Sequence, residues 1–409
     1  MYHPELIERN LHSATKSTNT TITRHSVSRS QAFSKRITNL LSPDTGQLTR
    51  DLTAEELSFI QSEILLCKFD FRYWHDRYCW MFRDGAVGGG TGPSPLWVSQ
   101  ENLLSLMAET EMTNHIRHSE GYPTFGIRVA DHKARQLGHT HVARALSMHR
   151  LTLWASVRSM AASVNDDKVM ELYDRDKLIL DHLPFFLRPS LDKGNFFENK
   201  NEHMQFKSLK NRILYQQANQ MSGLGQGRQF EVSHLTEVSS YPYPRMLELD
   251  FFPTMPDAPS TLSVLESTAQ ARGDWWHDFT EQVRKGEYIG WVYCFTPWYI
   301  EPKKYRAHPP DDWNPSEHTL QHAANVEATS AEFCRGQTIR LSKEQLYWYE
   351  MKRLAAIKGH ALPIFLTNYA STPEESFQFT TSSAFPFDVI DAARQKARPG
   401  VPYDLRAIS

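Results

Sequence analysis

An α/β fold with a mostly parallel sheet flanked by helices is what this sequence predicts, and three observations carry the prediction. Strand-like and helix-like patterns alternate from about residue 120 to 297. A cationic turn containing glycine follows the first strand, and polar residues end the later ones. Strand, helix, strand, helix in succession is the pattern of β-α-β units, which bind ligands beyond the carboxyl ends of their strands.

Residues 1–50, rich in Ser, Thr, Asn and basic side chains with little apolar periodicity, read as a mobile arm. Residues 51–297 read as the main domain with a helical lead-in subdomain. Over 54–67, Leu57, Ile60, Ile64 and Leu65 recur at helical spacing, and 69–82 is dense in aromatics. The stretch 85–95 has five glycines but lacks a following Lys and carries Pro93 and Pro95, so it reads as a loop. Strands are then expected at 124–130, 151–157, 212–217, 230–235, 261–266 and 288–295, with helices at 142–148, from after 157 to about 180, and at 275–283. Residues 298–409 read as the end of this domain and a linker.

Bulk properties exclude several classes. An apolar share of 40% with 12% aromatics suits a packed core over 409 residues. A formal charge of -2 gives no global pull toward nucleic acid, though a local basic face is compatible with it. Cys67, Cys79, Cys294 and Cys334 form no C-x-x-C pair, so neither a disulfide framework nor a zinc site is expected, and a reducing cytoplasm fits. No apolar run approaches the roughly 18 residues that span a bilayer, so no membrane association is expected. His132, His139, His141 and His149 offer no H-x-x-x-H pair, and no G-x-S-x-G elbow marks a hydrolase nucleophile.

The chemistry concentrates in three segments. The eight residues Lys133, Ala134, Arg135, Gln136, Leu137, Gly138, His139 and Thr140 sit between a strand and a helix, as a phosphate loop does. In such a loop, backbone N–H groups cradle phosphates and a terminal hydroxyl holds Mg²⁺. Gly138 supplies a tight turn and Thr140 the hydroxyl. His139 occupies the place of the usual Lys, and its imidazole is shorter and mostly neutral at pH 7. Lys133 or Arg135 must therefore bring the cation. Residues 230–237 form a strand ending in Thr236-Glu237, where a second oxygen ligand for Mg²⁺ and a general base for water would stand. The third segment, T-L-S-V-L running into E-S-T-A-Q-A-R-G, ends a strand in small hydroxyl residues placed to sense a γ-phosphate.

In order and spacing, K-A-R-Q-L-G-H-T, H-L-T-E-V and E-S-T-A-Q-A-R-G-D-W-W resemble the ATPase motifs of tailed-phage terminase large subunits. Flanking segments extend the likeness over about residues 65–385. The resemblance implies a P-loop NTPase fold of the additional-strand type, with ATP and Mg²⁺ as cofactors and an ATP-hydrolysing motor packaging double-stranded DNA into a preformed capsid. Lys133 takes the Walker A cation's role, Arg135 senses the γ-phosphate, Thr236 and Glu237 stand for the Walker B pair, Thr268 lies in the coupling motif, and Gln100 recognises adenine.

The implied partners are viral DNA, portal protein, a small terminase subunit and further copies of the chain in a ring docked on the portal, in the host cytoplasm. Family members continue into a nuclease domain. Glu374, Glu375, Asp388, Asp391 and Asp404 fall on no buried strand that would converge them, so no nuclease activity is expected in this chain. Two alternatives are a helicase-like P-loop ATPase and a terminase-like binding protein without turnover.

Overall fold

The computed structural model describes residues 40, 48–82, 90–199, 202–218, 223–225 and 227–380. Most of the predicted arm, part of the glycine-rich loop, and Asp388, Asp391 and Asp404 lie outside them. Among the described residues no helix is long and apolar enough to cross a membrane.

Two helices open the described chain. α1 (Ala54–Phe69) starts at a capping box in which Thr53 Oγ1 accepts from Glu56 N and Glu56 caps Thr53 N in return. Asp70 ends α1 and caps α2 (Phe71–Tyr78). A small antiparallel pair follows, β1 (Trp80–Phe82) with β2 (Thr91–Pro93), and then the long α3 (Val98–Ser119).

The body is an eight-stranded sheet. In chain order its strands are β3 (Ile127–Lys133), β4 (Arg158–Ser163), β5 (Phe196–Asn199), β6 (His203–Phe206), β7 (Asn211–Gln217), β8 (Val232–Thr236), β9 (Leu262–Ser267) and β11 (Val292–Thr296). In space they run β11-β3-β9-β8-β4-β7-β6-β5. The first six are mutually parallel, and β6 and β5 extend the edge antiparallel. Between them lie α4 (His139–Leu153), α5 (Asp166–His182) and α6 (Trp275–Arg284). The short β10 (Ala271–Arg272) pairs in parallel with β12 (Phe379–Thr380). Helices α7 (Glu317–Phe333), α8 (Lys343–Lys358), α9 (Leu362–Asn368) and α10 (Pro373–Ser376) complete the carboxyl-terminal layer.

The two-residue period of the strands divides the core. Val129, Val232 and Val264 point into a cluster with α4 and α5, while Ala130, Leu235 and Leu265 point into another with α6. Both faces of the sheet are thus covered, as a parallel sheet requires. A third cluster joins Ala134 and Leu137 of the loop after β3 to Trp298, Tyr305, Tyr349 and Phe365, so residues beyond 297 form the wall on which that loop rests.

The strand expected at 151–157 is corrected. Residues 151–153 finish α4, the chain turns through Ser156 at φ 63°, and the strand begins only at Arg158. The core of β4 is Met160-Ala161-Ala162, a run that β propensity does not favour but whose small side chains fit beneath a packed helix. β3 also begins and ends three residues later than expected, so that Lys133 is its last residue. The edge strands β5 and β6 were not foreseen.

Between α4 and α5, Arg144 and Asp176 form a fully buried ion pair, with Nε to Oδ1 at 3.0 Å, and Tyr215 Oη donates to Asp176 Oδ2 at 2.7 Å. Asp176→Ala leaves a guanidinium buried without its partner. The expected result is a loss of about 3–5 kcal/mol of unfolding free energy, measured by denaturant titration.

Candidate nucleotide site

Beyond the carboxyl ends of β3, β8 and β9 lies a cleft of about 650 Å³. Lys133, Arg135, Gln136, Thr140, Thr236, Glu237 and Thr268 all line it. The structure therefore brings together residues from all three sequence segments.

The loop between β3 and α4 is built to present its amides. Gln136 and Gly138 both have positive φ, at 56° and 75°, which turns successive N–H groups toward one side. The carbonyls on the other side are held by protein. Tyr305 Oη donates to Arg135 O, Ser99 Oγ donates to Leu137 O at 2.9 Å, and Gln100 Nε2 donates to Gly138 O at 3.0 Å. Glu301 in turn fixes Ser99, accepting from its N at 2.6 Å and its Oγ at 2.8 Å. The amides of Ala134 and Arg135 are engaged by Thr296 O and Asn368 O, both at 2.9 Å. Those from Gln136 to Thr140 find no acceptor among the described residues and stand at the start of α4, where the helix dipole favours an anion. A Cβ on Gly138 would lie 2.5 Å from Gln100 Nε2, so the tight packing of this carbonyl, together with its backbone twist, demands glycine.

Three predicted positions of the loop contribute no side chain to the cleft. Ala134 and Leu137 are buried in the carboxyl-terminal layer. His139 is fully buried with Nδ1 2.8 Å from Asp131 Oδ2, facing the sheet. Gln100 braces the loop from outside the cleft. Its Oε1 accepts from Trp97 N at 2.8 Å while its Nε2 holds Gly138 O, so both ends of the amide serve the loop, and Gln100 does not line the cleft. Apolar lining comes instead from Ile364 and Phe379. The other histidines do not converge with His139: His132 packs on Phe295 and Phe377, where burial pushes its pKa down to about 3, and His149 bonds Cys67 O at 2.7 Å.

Sequence reasoning missed the acid at the centre. Glu266 lies on β9, which stands between β3 and β8. It is 1% exposed. Its Oε1 accepts from Thr236 Oγ1 at 2.6 Å and from Thr140 Oγ1, so two hydroxyls, one ending β8 and one opening α4, meet on one carboxylate. Burial opposes ionisation of Glu266, but the Lys133 ammonium, with His234 and the Thr140 hydroxyl, outweighs it and holds the carboxyl well below the usual range. Its Oε2 is buried without a hydrogen bond among the described residues, and His234 Nε2 stands off at 3.7 Å.

A buried anionic oxygen beside two hydroxyls is a hard donor set that suits Mg²⁺. Because each hydroxyl gives its proton to Glu266, its lone pairs remain available to a cation. The carboxylate thus comes from the strand beside β8, where Thr236 offers only a hydroxyl. The residue was visible in the third segment, but only strand order reveals its place. Glu266→Gln is expected to raise the Mg²⁺ concentration for half-maximal turnover by about 10–100-fold, as loss of a partner carboxylate does at other metal sites. A magnesium titration of ATPase rate checks this, and an unchanged midpoint would contradict it.

Glu237 follows directly, exposed at the cleft, with φ 59°. A non-glycine residue in the left-handed region is costly, and here it swings the side chain out from the buried strand. The turn after it is tied to β9: Ser267 Oγ accepts from Ser239 N at 3.1 Å and donates to Ser239 Oγ at 2.8 Å, and Gln270 Nε2 donates to Ser240 Oγ at 2.6 Å.

A loop of free amides after β3, an acid directly following β8, and β9 inserted between them match a P-loop NTPase fold of the additional-strand type. Among solved structures, the chain is similar to the large terminase of bacteriophage HK97, at 11% identity and a TM-score of 0.46, over 75% of this chain and 55% of that one. It is also similar to the large terminase ATPase domain of Thermus phage P74-26, at 10% identity and a TM-score of 0.35, over 59% of this chain and 98% of that one. The large terminase of another thermophilic bacteriophage matches at 15% identity and a TM-score of 0.33, over 49% of this chain and 46% of that one. The chain thus spans about half the length of the HK97 protein. No known family profile matches it, and no curated protein does.

Proposed function

We propose that this chain is the ATP-hydrolysing motor of viral genome packaging, moving double-stranded DNA into a preformed capsid. The observation that carries the reading is the convergence of Lys133, Arg135, Thr140, Glu237 and Glu266 on one cleft beside the free amides of the loop. Lys133 and the amides from Gln136 to Thr140 bind the β- and γ-phosphates through charge-assisted hydrogen bonds. Thr140, Thr236 and Glu266 hold Mg²⁺, which when bound neutralises charge on the phosphate oxygens. Glu237 accepts a proton from the attacking water. Arg135, exposed at the cleft mouth, reaches the γ-phosphate, and Ile364 and Phe379 offer an apolar surface to the base.

Coupling follows from the ties between the hydrolytic strand and its neighbour. The Ser239–Ser267 and Ser240–Gln270 bonds link the turn bearing Glu237 to the segment bearing Thr268. A shift on phosphate loss would pass along them to β10 and its partner β12. The proposed partners are the portal protein, a small terminase subunit and other copies of the chain in a ring on the portal.

The test is ATP hydrolysis by the chain with portal and small subunit present, with double- or single-stranded DNA added. Stimulation by the duplex is expected. Stimulation by single strands alone would support a helicase-like ATPase instead, and absence of turnover would support a binding protein.

A further inference from the structure

Away from the cleft, α2 meets the first turn of α4 through three polar side chains that the nucleotide site does not use. They are His75, Cys79 and His141, and they are 0%, 0% and 3% exposed. His75 Nε2 lies 3.1 Å from His141 Nε2, and Cys79 Sγ lies 3.7 Å from the same nitrogen. All three potential ligand atoms fall within 4.8 Å of one another.

Hydrogen bonding alone satisfies this group poorly. Two neutral imidazoles share one proton across a 3.1 Å contact, which leaves the thiol a single weak partner on an atom already engaged. A cation at the centre satisfies all three donors at once. Tetrahedral zinc, with bonds of roughly 2.0–2.1 Å to nitrogen and 2.3 Å to sulfur, sets its donor atoms about 3.3–3.6 Å apart, close to the two contacts at His141 Nε2.

The local sequence supports the arrangement. His75 and Cys79 stand four residues apart across the end of α2, a spacing that puts both on one face, and Cys79 N donates to His75 O at 3.1 Å. The outer nitrogen of His75, Nδ1, is 3.2 Å from Asp76 Oδ1. A carboxylate there fixes the ring and directs Nε2 inward, as the outer partners of metal-bound histidines do. The pair escapes a search for H-x-x-x-H because its second member is a thiol and its third ligand comes from 62 residues further on.

We propose that His75, Cys79 and His141 supply three ligands of a buried zinc site, with water in the fourth position, that clamps α2 to the start of α4. The cation displaces the thiol proton, and Cys79 binds as thiolate while both histidines bind as neutral rings. His141 directly follows Thr140, so the site fixes the helix turn on which the phosphate loop ends. The proposal stands independently of which nucleic acid the protein acts on.

Elemental analysis of the purified chain, grown with zinc and dialysed without chelator, is expected to find about one zinc per chain. Exchange for cobalt(II) is expected to produce a thiolate-to-cobalt charge-transfer absorption, and Cys79→Ser to abolish it and cut bound zinc at least about five-fold. A natively folded parent chain, by circular dichroism, holding less than about a tenth of a zinc and giving no such absorption with cobalt would overturn the proposal. So would a full zinc equivalent retained in both Cys79→Ser and His141→Ala.

Discussion

Glu237→Gln is expected to lower ATP turnover by about 10²–10⁴-fold while leaving nucleotide affinity within about two-fold. The substitution keeps the size and hydrogen-bonding reach of the side chain and removes only its capacity to take a proton. It touches no packing, since Glu237 is exposed at the cleft and its neighbours in the turn are held through Ser239 and Ser240. The left-handed backbone at φ 59° is as accessible to Gln as to Glu. A phosphate-release assay paired with nucleotide titration separates the two parameters. Retained turnover would remove Glu237 from the role of base. Lost affinity would mean that the side chain holds the loop or the cation.

Much of this site was legible because a polar residue at the end of an apolar run has few structural reasons to be there. Lys133, Thr140, Thr236 and Glu237 each end a strand or begin a helix, and local pattern alone locates them. What pattern does not carry is which strand lies beside which. Glu266 gains its place beside Thr140 and Thr236 from β9 lying between β3 and β8, a long-range fact that local pattern does not carry. The same holds for Gln100. Its adenine role came only from the resemblance, and local pattern gave no sign of its two amide bonds, to Trp97 and Gly138, which brace the turn. β4 was misplaced because buried small residues decided the strand where propensity pointed to the neighbouring Leu-rich segment. The hairpin of β5 and β6 is short and half-exposed, and its alternation is too brief to register.

The second large effect concerns the displaced cation. Lys133 ends β3, is half-buried, lines the cleft and supplies the charge that keeps Glu266 ionised. His139, in the position that phosphate loops usually give to lysine, is turned toward Asp131 and does not line the cleft. Under the proposed function one ammonium would serve both the phosphates and the buried carboxylate. On that proposal its removal would withdraw a charge-assisted bond from the nucleotide and leave Glu266 facing the phosphates without compensation. Losing a charge-assisted phosphate contact together with the charge beside a buried carboxylate costs about 2–4 kcal/mol, or roughly 30- to 1000-fold in Kd.

Titration of a fluorescent ATP analogue into the parent chain and into Lys133→Ala, with Mg²⁺ present and folding verified by circular dichroism, tests the central claim most directly. A rise in Kd of about 30-fold or more is predicted. An affinity within about two-fold of the parent would mean that the phosphates bind elsewhere and that this loop is not a nucleotide site.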